Sequence, residues 1–187
     1  MCLFSGEEPK TVFDIIRTRR SVRTYSADRL ERGTIMTLLE AAVLAPTAMH
    51  EEPWEFVVIQ DGKMLKRISD LAKPLFIQSL HHSPDAFKDP EFDIFHGAGT
   101  LIVICTKPSG PFVEADCWLA AENLMLAACG SGLGSCVIGS SIAAISEMRK
   151  DLGIPPDFEV VAPIAVGVPA GEIGSSSRKE PSVLAWL

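Results

Sequence analysis

Long hydrophobic runs are absent from this sequence of 187 residues, and their absence excludes one class of protein. No apolar stretch approaches the roughly 20 residues that a membrane-spanning helix needs. Residues 1–10 carry acids and a proline where a signal peptide would have an apolar core. Low-complexity tracts and internal repeats are also missing. We therefore expect a cytoplasmic protein that makes no contact with a membrane.

Positive charge is scarce as well. The chain has 17 Lys and Arg residues against 24 Asp and Glu residues, which gives a formal net charge of −7. Affinity for nucleic acid comes largely from basic residues that neutralise backbone phosphates. The charge balance therefore argues against a nucleic acid as a partner.

Disulfide, metal and hydrolase signatures are missing too. The five cysteines are odd in number and include no Cys-x-x-Cys pair, which indicates reduced thiols in a cytosolic core. His81 and His82 are adjacent, so in regular structure they cannot easily point at one ion, and we predict no metal site. No Gly-x-Ser-x-Gly motif is present to place a hydrolase nucleophile.

Apolar residues, in contrast, are plentiful. They make up 47% of the chain, enough for one good core and a single domain over residues 1–187. The fraction is high for a soluble monomer, which suggests that another subunit covers part of the surface.

The spacing of the apolar residues predicts a mixed order of helices and strands. Thr34 is the predicted N-cap of a helix that Pro46 ends. The helix at 113–129 is apolar on most faces, which predicts a central helix enclosed by other elements. The irregular segment 74–96 is expected to be mobile and to cover a site, and a glycine-rich turn is expected at 130–134. Helices are predicted at residues 11–20, 63–72, 113–129 and 142–152, and strands at residues 54–60, 100–106 and 159–168.

The last 19 residues, 169–187, form a polar arm with an apolar end at Val183, Leu184, Trp186 and Leu187. An exposed apolar end needs a surface to pack against. We expect the arm to pack on a partner subunit.

A cluster of arginines near the N-terminus is the first candidate binding site. Four of the 17 Lys and Arg residues fall between Arg17 and Arg23, on a chain that is acidic overall. Guanidinium groups bind phosphate oxygens in pairs, and Ser21 adds a hydroxyl and a backbone donor, so the cluster suits a phosphomonoester. The alternative is that the arginines solvate the C-terminal end of an amphipathic helix.

A second candidate is the connection from Ala45 to Trp54, between a helix and a strand. Its two prolines favour an extended backbone whose amide and carbonyl groups could contact the edge of a flat ligand. The alternative, which these residues alone favour, is a tight connection with Trp54 in the core.

The glycines at 130–139 could suggest a dinucleotide-binding loop. That fingerprint needs a strand before the glycines, and here a helix precedes them. We expect a helix C-cap and a close-packed turn, while the backbone N–H groups of residues 137–139 could still face a ligand. Cys136 is interpreted as a packing thiol, and Glu122 and Asn123 as core polar groups that backbone atoms satisfy.

Five motifs follow one another along nearly the whole chain, and their order is more specific than any one of them. They are Ile16-x-x-Arg19-Arg20-Ser21-Val22-Arg23, Ala41-Ala42-x-x-Ala45-Pro46-Thr47 running to Pro53-Trp54-Glu55-Phe56, Phe95-His96-Gly97-Ala98, Gly132-Leu133-Gly134-Ser135-Cys136, and Gly167-Val168-Pro169 leading to Arg178-Lys179. In this order they resemble the nitroreductase family of FMN-dependent oxidoreductases.

The resemblance implies an α+β fold with a mainly antiparallel central sheet flanked by helices. It also implies an intertwined homodimer that exchanges its 169–187 arms and binds FMN at the subunit interface. Arg23 would place positive charge near N1 and O2 of the flavin, where negative charge accumulates on reduction. Arg19 and Ser21, with Arg178 or Lys179, would hold the phosphate, and Arg20 would lie beside the ribityl chain and ring edge. The ring would be lined by residues of the opposite subunit, namely Pro46, Thr47, Ala48, Met49 and His50. Backbone groups of Val137, Ile138 and Gly139 would approach N5.

The activity that the resemblance implies is a two-step reduction. NADH or NADPH would reduce the flavin at N5, and the flavin would then reduce a small-molecule acceptor such as a nitroaromatic or a quinone by a ping-pong mechanism, without a catalytic side chain. His50 and Glu52 stand where the family commonly has Asn and Gln, which alters the hydrogen bonds of that stretch. The alternatives are a flavin-consuming or reductive-dehalogenating relative, or a flavin-binding module without turnover.

Overall fold

The computed structural model describes residues 11–79, 84–171, 173–174 and 177–187. The fold is α+β, as predicted. The helices are α1 (Val12–Thr18), α2 (Arg32–Ala42), α3 (Gly62–Ser79), α4 (Val113–Gly130) and α5 (Ile142–Glu147), and the strands are β1 (Trp54–Ile59), β2 (Thr100–Thr106), β3 (Gly134–Val137) and β4 (Glu159–Gly167). None of the described helices is both long and apolar enough to cross a membrane.

The four strands form one antiparallel sheet in the order β1-β2-β4-β3. Strand β2 lies between β1 and β4, and all seven of its residues are buried. Its sequence is a nearly continuous apolar run because both faces of the sheet at this position are covered. The three strands predicted from sequence are confirmed within a residue at each end.

Helices cover the sheet on both sides and produce two hydrophobic cores. Leu101 and Val103 of β2 belong to the core beneath α3 and α5. Ile102 and Ile104 point the other way and belong to the core beneath α2 and α4. The alternation follows from the two-residue period of a strand, and it makes β2 the common element of both cores.

Helix α2 begins earlier than the sequence predicts, and Thr34 is not its N-cap. The N-cap is Glu31, whose side chain makes no capping hydrogen bond. Leu30, which precedes the cap, and Ile35, in the first turn, are buried in the same core. This pairing is a hydrophobic staple, and it stabilises the earlier start although the capping side chain is poor.

Helix α3 continues through Pro74 to Ser79, whereas irregular structure was predicted from residue 74. Proline removes one backbone hydrogen bond from the helix. The extension is compensated by Leu75, which packs against the core, and by Lys73, whose Nζ donates to the carbonyl oxygens of Pro90 (2.6 Å) and Phe92 (3.1 Å). A 3₁₀ helix at Asp85–Lys88 follows the undescribed residues 80–83.

Two other elements differ from the prediction. Strand β3 occupies residues that were expected to form only a turn and a ligand-facing loop. Helix α5 is regular only to Glu147 and continues as turns to Gly153, whose φ of 71° closes the segment. Short elements of this kind depend on the neighbours they pair with, and apolar spacing carries little information about them.

Helix α4 is central, but it is not fully enclosed within the chain. Eight of its residues are buried, including Leu124 and Ala120. Trp118 and Leu119 remain exposed, as do Val12 and Phe13 of α1. The predicted enclosure is therefore incomplete in the single chain, and large apolar side chains of both helices are left exposed.

Candidate functional site

The segment 19–25 is held in place by β3 and by the residues after β4. The Val22 amide donates to the Ser135 carbonyl oxygen at 3.0 Å, and Tyr25 forms an antiparallel bridge with Pro169. The buried Tyr25 hydroxyl donates to the Val22 carbonyl oxygen at 2.8 Å. Because these contacts fix Val22 and Tyr25, the backbone that carries Arg23 between them has a defined direction.

Both ends of the chain meet at a cavity of about 480 Å³. Arg20, Ser21 and Arg23 line it from the N-terminal side, and Arg178 lines it from the arm. The Ala170 amide donates to the Thr24 carbonyl oxygen at 2.9 Å, which joins the two sides. The cavity brings together two residues predicted at the phosphate, Ser21 and Arg178, with Arg20 and Arg23, which were predicted beside the ribityl chain and the ring. Their guanidinium and hydroxyl groups suit an anionic ligand.

Arg19 lies outside this cavity lining. Its Nε is 3.6 Å from the Glu122 carboxylate on α4. Glu122 therefore contacts a side chain, whereas a backbone partner was expected. The expectation for Asn123 is confirmed, because its Nδ2 donates to the Ala41 carbonyl oxygen at 3.1 Å. Lys179 is exposed and also lies outside the lining.

A second cavity, of about 530 Å³, adjoins the first and shares Arg23 with it. Val137, Ile138 and Gly139, which were predicted to approach the flavin, all line it. The rest of the wall includes Phe76, Phe87, Phe92, His96 and Cys136. The segment 84–96 contributes to this wall, in keeping with its predicted position over a site.

Cys136 is buried, in agreement with its interpretation as a packing thiol. Burial raises the pKa of the thiol above its usual value, and the nearby Arg23 opposes that shift. A thiol with a raised pKa stays protonated at neutral pH and is a weak nucleophile. Cys136 therefore contributes an apolar, neutral surface to the cavity.

The connection at Pro46–His50 lies apart from both cavities in the single chain. Met49 and His50 have φ values of 54° and 61°, and Met49 is 89% exposed. The left-handed region costs free energy for residues other than glycine, so the surrounding contacts must hold this backbone. One of them is Asp116 of α4, which is only 4% exposed and accepts the Ala48 amide on both carboxylate oxygens at 3.2 Å.

No role was predicted for Asp116, and the contact of Glu122 with Arg19 was not predicted either. A usable signal was present for both, because each is a carboxylate on a helix that is otherwise apolar. His50 and Glu52 lie close to each other, with Nδ1 and Oε1 3.7 Å apart. Among the described residues no cluster of metal-binding side chains occurs, and His81 and His82 lie outside them.

Residues 16–168 match the family model of the nitroreductase family. The chain belongs to this family. A relative from Archaeoglobus fulgidus, provisionally named NADH dehydrogenase/NAD(P)H nitroreductase, is 33% identical over 165 residues, which are 84% of this chain and 85% of the relative. A nitroreductase from Bacteroides fragilis with bound FMN superposes with a TM-score of 0.84 and 26% identity, over 95% of this chain and 99% of that one.

A more distant relative of this chain is the iodotyrosine deiodinase of Thermotoga neapolitana. It is 23% identical over 168 residues, which are 86% of this chain and 89% of the relative. The family resemblance drawn from the five motifs is confirmed, and so is the fold that it implied.

Proposed function

We propose that this nitroreductase binds FMN across the two joined cavities and is an oxidoreductase that uses NADH or NADPH. The observation that carries the proposal is the meeting of Ser21, Arg23 and Arg178 at one cavity, from opposite ends of the chain. The cavity volumes, about 480 and 530 Å³, lie in the range of about 300–1,000 Å³ that is usual for small-molecule sites. The donor set suits a phosphate at one end and a flat ring at the other.

The polar and charged residues of the cavity would bind different parts of FMN. Ser21 and Arg178 would bind the phosphate through charge-assisted hydrogen bonds, and Arg20 would lie beside the ribityl chain and ring edge. Arg19 would also bind the phosphate, for which it would have to turn from Glu122, and Lys179 is the alternative to Arg178 in the arm.

Arg23 would favour electron uptake, because a cation stabilises the negative charge that reduction adds near N1 and O2. The backbone of residues 137–139 would form the wall beside N5. The chemistry that bound FMN supplies is hydride transfer in two half-reactions, from the nicotinamide and then to an acceptor such as a nitroaromatic or a quinone. The chain needs only to bind, orient and shield the reactants.

The second subunit would complete the site. The exposed Met49 and the strained backbone of Pro46–His50 lie apart from both cavities of their own chain. Pro46, Thr47, Ala48, Met49 and His50 would therefore line the ring bound by the partner. The apolar face with Trp118 and Leu119, and the apolar end of the arm, would be buried in the same homodimer.

The test is to purify the protein, add FMN, and follow the absorbance of the oxidised flavin under anaerobic conditions. We expect a yellow protein whose colour bleaches when NADH or NADPH is added and returns when a quinone follows. Colour that persists after both nicotinamides would support a flavin-binding module without turnover. A protein that stays colourless after FMN addition and dialysis would overturn the proposal.

A reductive-dehalogenating activity is the second candidate. It is supported by the relative named iodotyrosine deiodinase, which matches 86% of this chain. The acceptor panel should therefore include 3-iodotyrosine beside nitroaromatics and quinones. Iodide release at a rate comparable to quinone reduction would favour this second function.

A further inference from the structure

His96 has an unusual backbone and a defined place in the second cavity. Its φ is 57°, and that of the following Gly97 is 81°. Left-handed backbone is uncommon for a residue other than glycine, and persists where neighbouring contacts impose it. Here Asp93 imposes it, because its carboxylate accepts the amides of Phe95 (3.0 Å) and Gly97 (2.8 Å), while its carbonyl oxygen accepts the His96 amide (3.0 Å).

The His96 residue is half-buried and lines the second cavity together with Arg23. The ring of Phe92 meets it edge-on, with centroids 5.8 Å apart. Burial lowers the pKa of His96 below its usual value, and the positive charge of Arg23 lowers it further. At neutral pH the imidazole is therefore uncharged, with one N–H donor and one acceptor nitrogen.

Three phenylalanine rings form another part of the same wall. Phe76 of α3 and Phe87 of the 3₁₀ helix have ring centroids 4.9 Å apart, and Phe87 and Phe92 have centroids 5.4 Å apart. All three rings line the cavity with His96. Aromatic rings bind other rings by offset or edge-on packing, so this wall suits a planar molecule more than a compact ion.

We propose that His96 binds the electron acceptor and helps determine its specificity: its imidazole N–H donates a hydrogen bond to an oxygen of a planar ring that packs against Phe76, Phe87 and Phe92. The inference rests on the proposed function, because it places the second substrate beside the flavin ring in the second cavity. The imidazole selects an oxygen substituent, and the aromatic side chains select a ring. Asp93 is the positioning residue, since its hydrogen bonds hold the backbone of residues 95–97.

The experiment compares two acceptors in steady-state assays of the FMN-loaded protein. Menadione is a planar quinone, whereas ferricyanide is an octahedral ion with no ring to pack. The measured quantity is the ratio of kcat/KM for menadione to kcat/KM for ferricyanide. His96→Gly keeps the left-handed backbone and removes the imidazole, and His96→Asn keeps both that backbone preference and an N–H donor.

We expect the ratio to fall about 3- to 10-fold in His96→Gly, as for the loss of one hydrogen bond, and to recover partly in His96→Asn. Phe92→Leu should also lower the ratio, because it removes one ring of the wall. Phe158→Leu is the matched control, since Phe158 lies beside Lys107 and does not line this cavity. Its ratio should equal that of the unmodified protein.

The outcomes separate this inference from the proposed function. An unchanged ratio in both His96→Gly and Phe92→Leu overturns the role of His96 while leaving flavin chemistry intact. An unmodified protein whose flavin is reduced by neither nicotinamide overturns the proposed function and this inference together. Flavin content and melting temperature of each variant show whether it has folded. If His96→Gly does not fold, Phe92→Leu still tests the role of the cavity.

Discussion

At the scale of single residues, the arginine cluster separates into side chains with different surroundings. Arg20 donates to the carbonyl oxygens of Arg17 and Arg19, each at 2.7 Å, which holds its guanidinium along the turn. Arg19 faces Glu122, and Arg23 faces both cavities. Equal charges in one short segment therefore have different surroundings, and single substitutions can test whether their functions differ.

Arg19→Ala is expected to weaken FMN binding by about 1.5–3 kcal/mol, the usual contribution of a hydrogen bond to a charged group. Glu122→Gln should instead strengthen FMN binding, because it releases Arg19 from the carboxylate and removes a negative charge near the phosphate. Titration of the apoprotein with FMN, followed by flavin fluorescence, measures both changes. Unchanged affinity in Arg19→Ala would remove Arg19 from the site.

Arg23→Gln is expected to lower the reduction potential of bound FMN, since the cation that stabilises the reduced form is lost. A decrease of about 30 mV corresponds to ~1.4 kcal/mol for a two-electron couple. Equilibration with a redox dye of known potential gives the value. Lys150→Gln, an exposed position away from both cavities, is the control, and an equal shift in the two variants would contradict the prediction.

At the scale of secondary-structure elements, the fit of the 19–25 segment against β3 decides whether the site forms. Gly134 begins β3, and a Cβ there would lie 2.8 Å from the Val22 side chain. Glycine is thus needed here because β3 and the segment with Val22 approach closely, and not because of a left-handed φ. This approach lets Val22 and Ser135 form the hydrogen bond that orients the arginines.

Gly134→Ala is expected to destabilise the fold by about 1–3 kcal/mol, because the added methyl group must displace Val22. Gly33→Ala provides the matched control, since Gly33 lies in α2 with open space around its Cβ position. That change should stabilise the protein by about 0.5–1 kcal/mol through a higher helix propensity. Urea unfolding monitored by circular dichroism compares the two, and equal stabilities would refute the packing argument.

At the scale of the whole molecule, the exposed apolar surface supports the proposed homodimer. Leu184 and Trp186 of the arm are 101% and 89% exposed. Phe13 of α1 and Trp118 of α4 are exposed as well. Apolar surface distributed over an arm and two helices is typical of a subunit that buries it against a second copy.

Deletion of residues 182–187 is therefore expected to weaken dimerisation and, with it, FMN retention. The reason is the loss of the apolar end of the arm as buried interface area. Sedimentation velocity over a range of concentrations measures the dimer dissociation constant. Replacement of the polar neighbours Lys179 and Glu180 by Ser should leave that constant largely unchanged, and a truncated protein that dimerises as tightly as the full chain would contradict arm exchange.

The sequence predicted the long, strongly patterned elements and missed those that depend on distant neighbours. Strands β1, β2 and β4 follow from β-branched runs, which report burial directly. Strand β3 does not, because Ser135 pairs with a segment over a hundred residues away. The last turns of α3 do not either, because Pro74 disfavours a helix locally and Lys73 is held by a hydrogen bond to the carbonyl oxygen of Pro90. Local pattern cannot encode partners at that separation.

The sequence by itself determined the family, the residue types for a phosphate and a flavin, and the order in which they occur. It did so because the residue types of a motif and the spacing of apolar residues can be read from positions close together along the chain. Only the tertiary structure decided that Arg178, and neither Arg19 nor Lys179, lines a cavity with Ser21, and that His96 lines a cavity with Arg23. These relations arise from the antiparallel sheet and from contacts such as Tyr25 with Pro169, which bring distant segments to one edge of the fold.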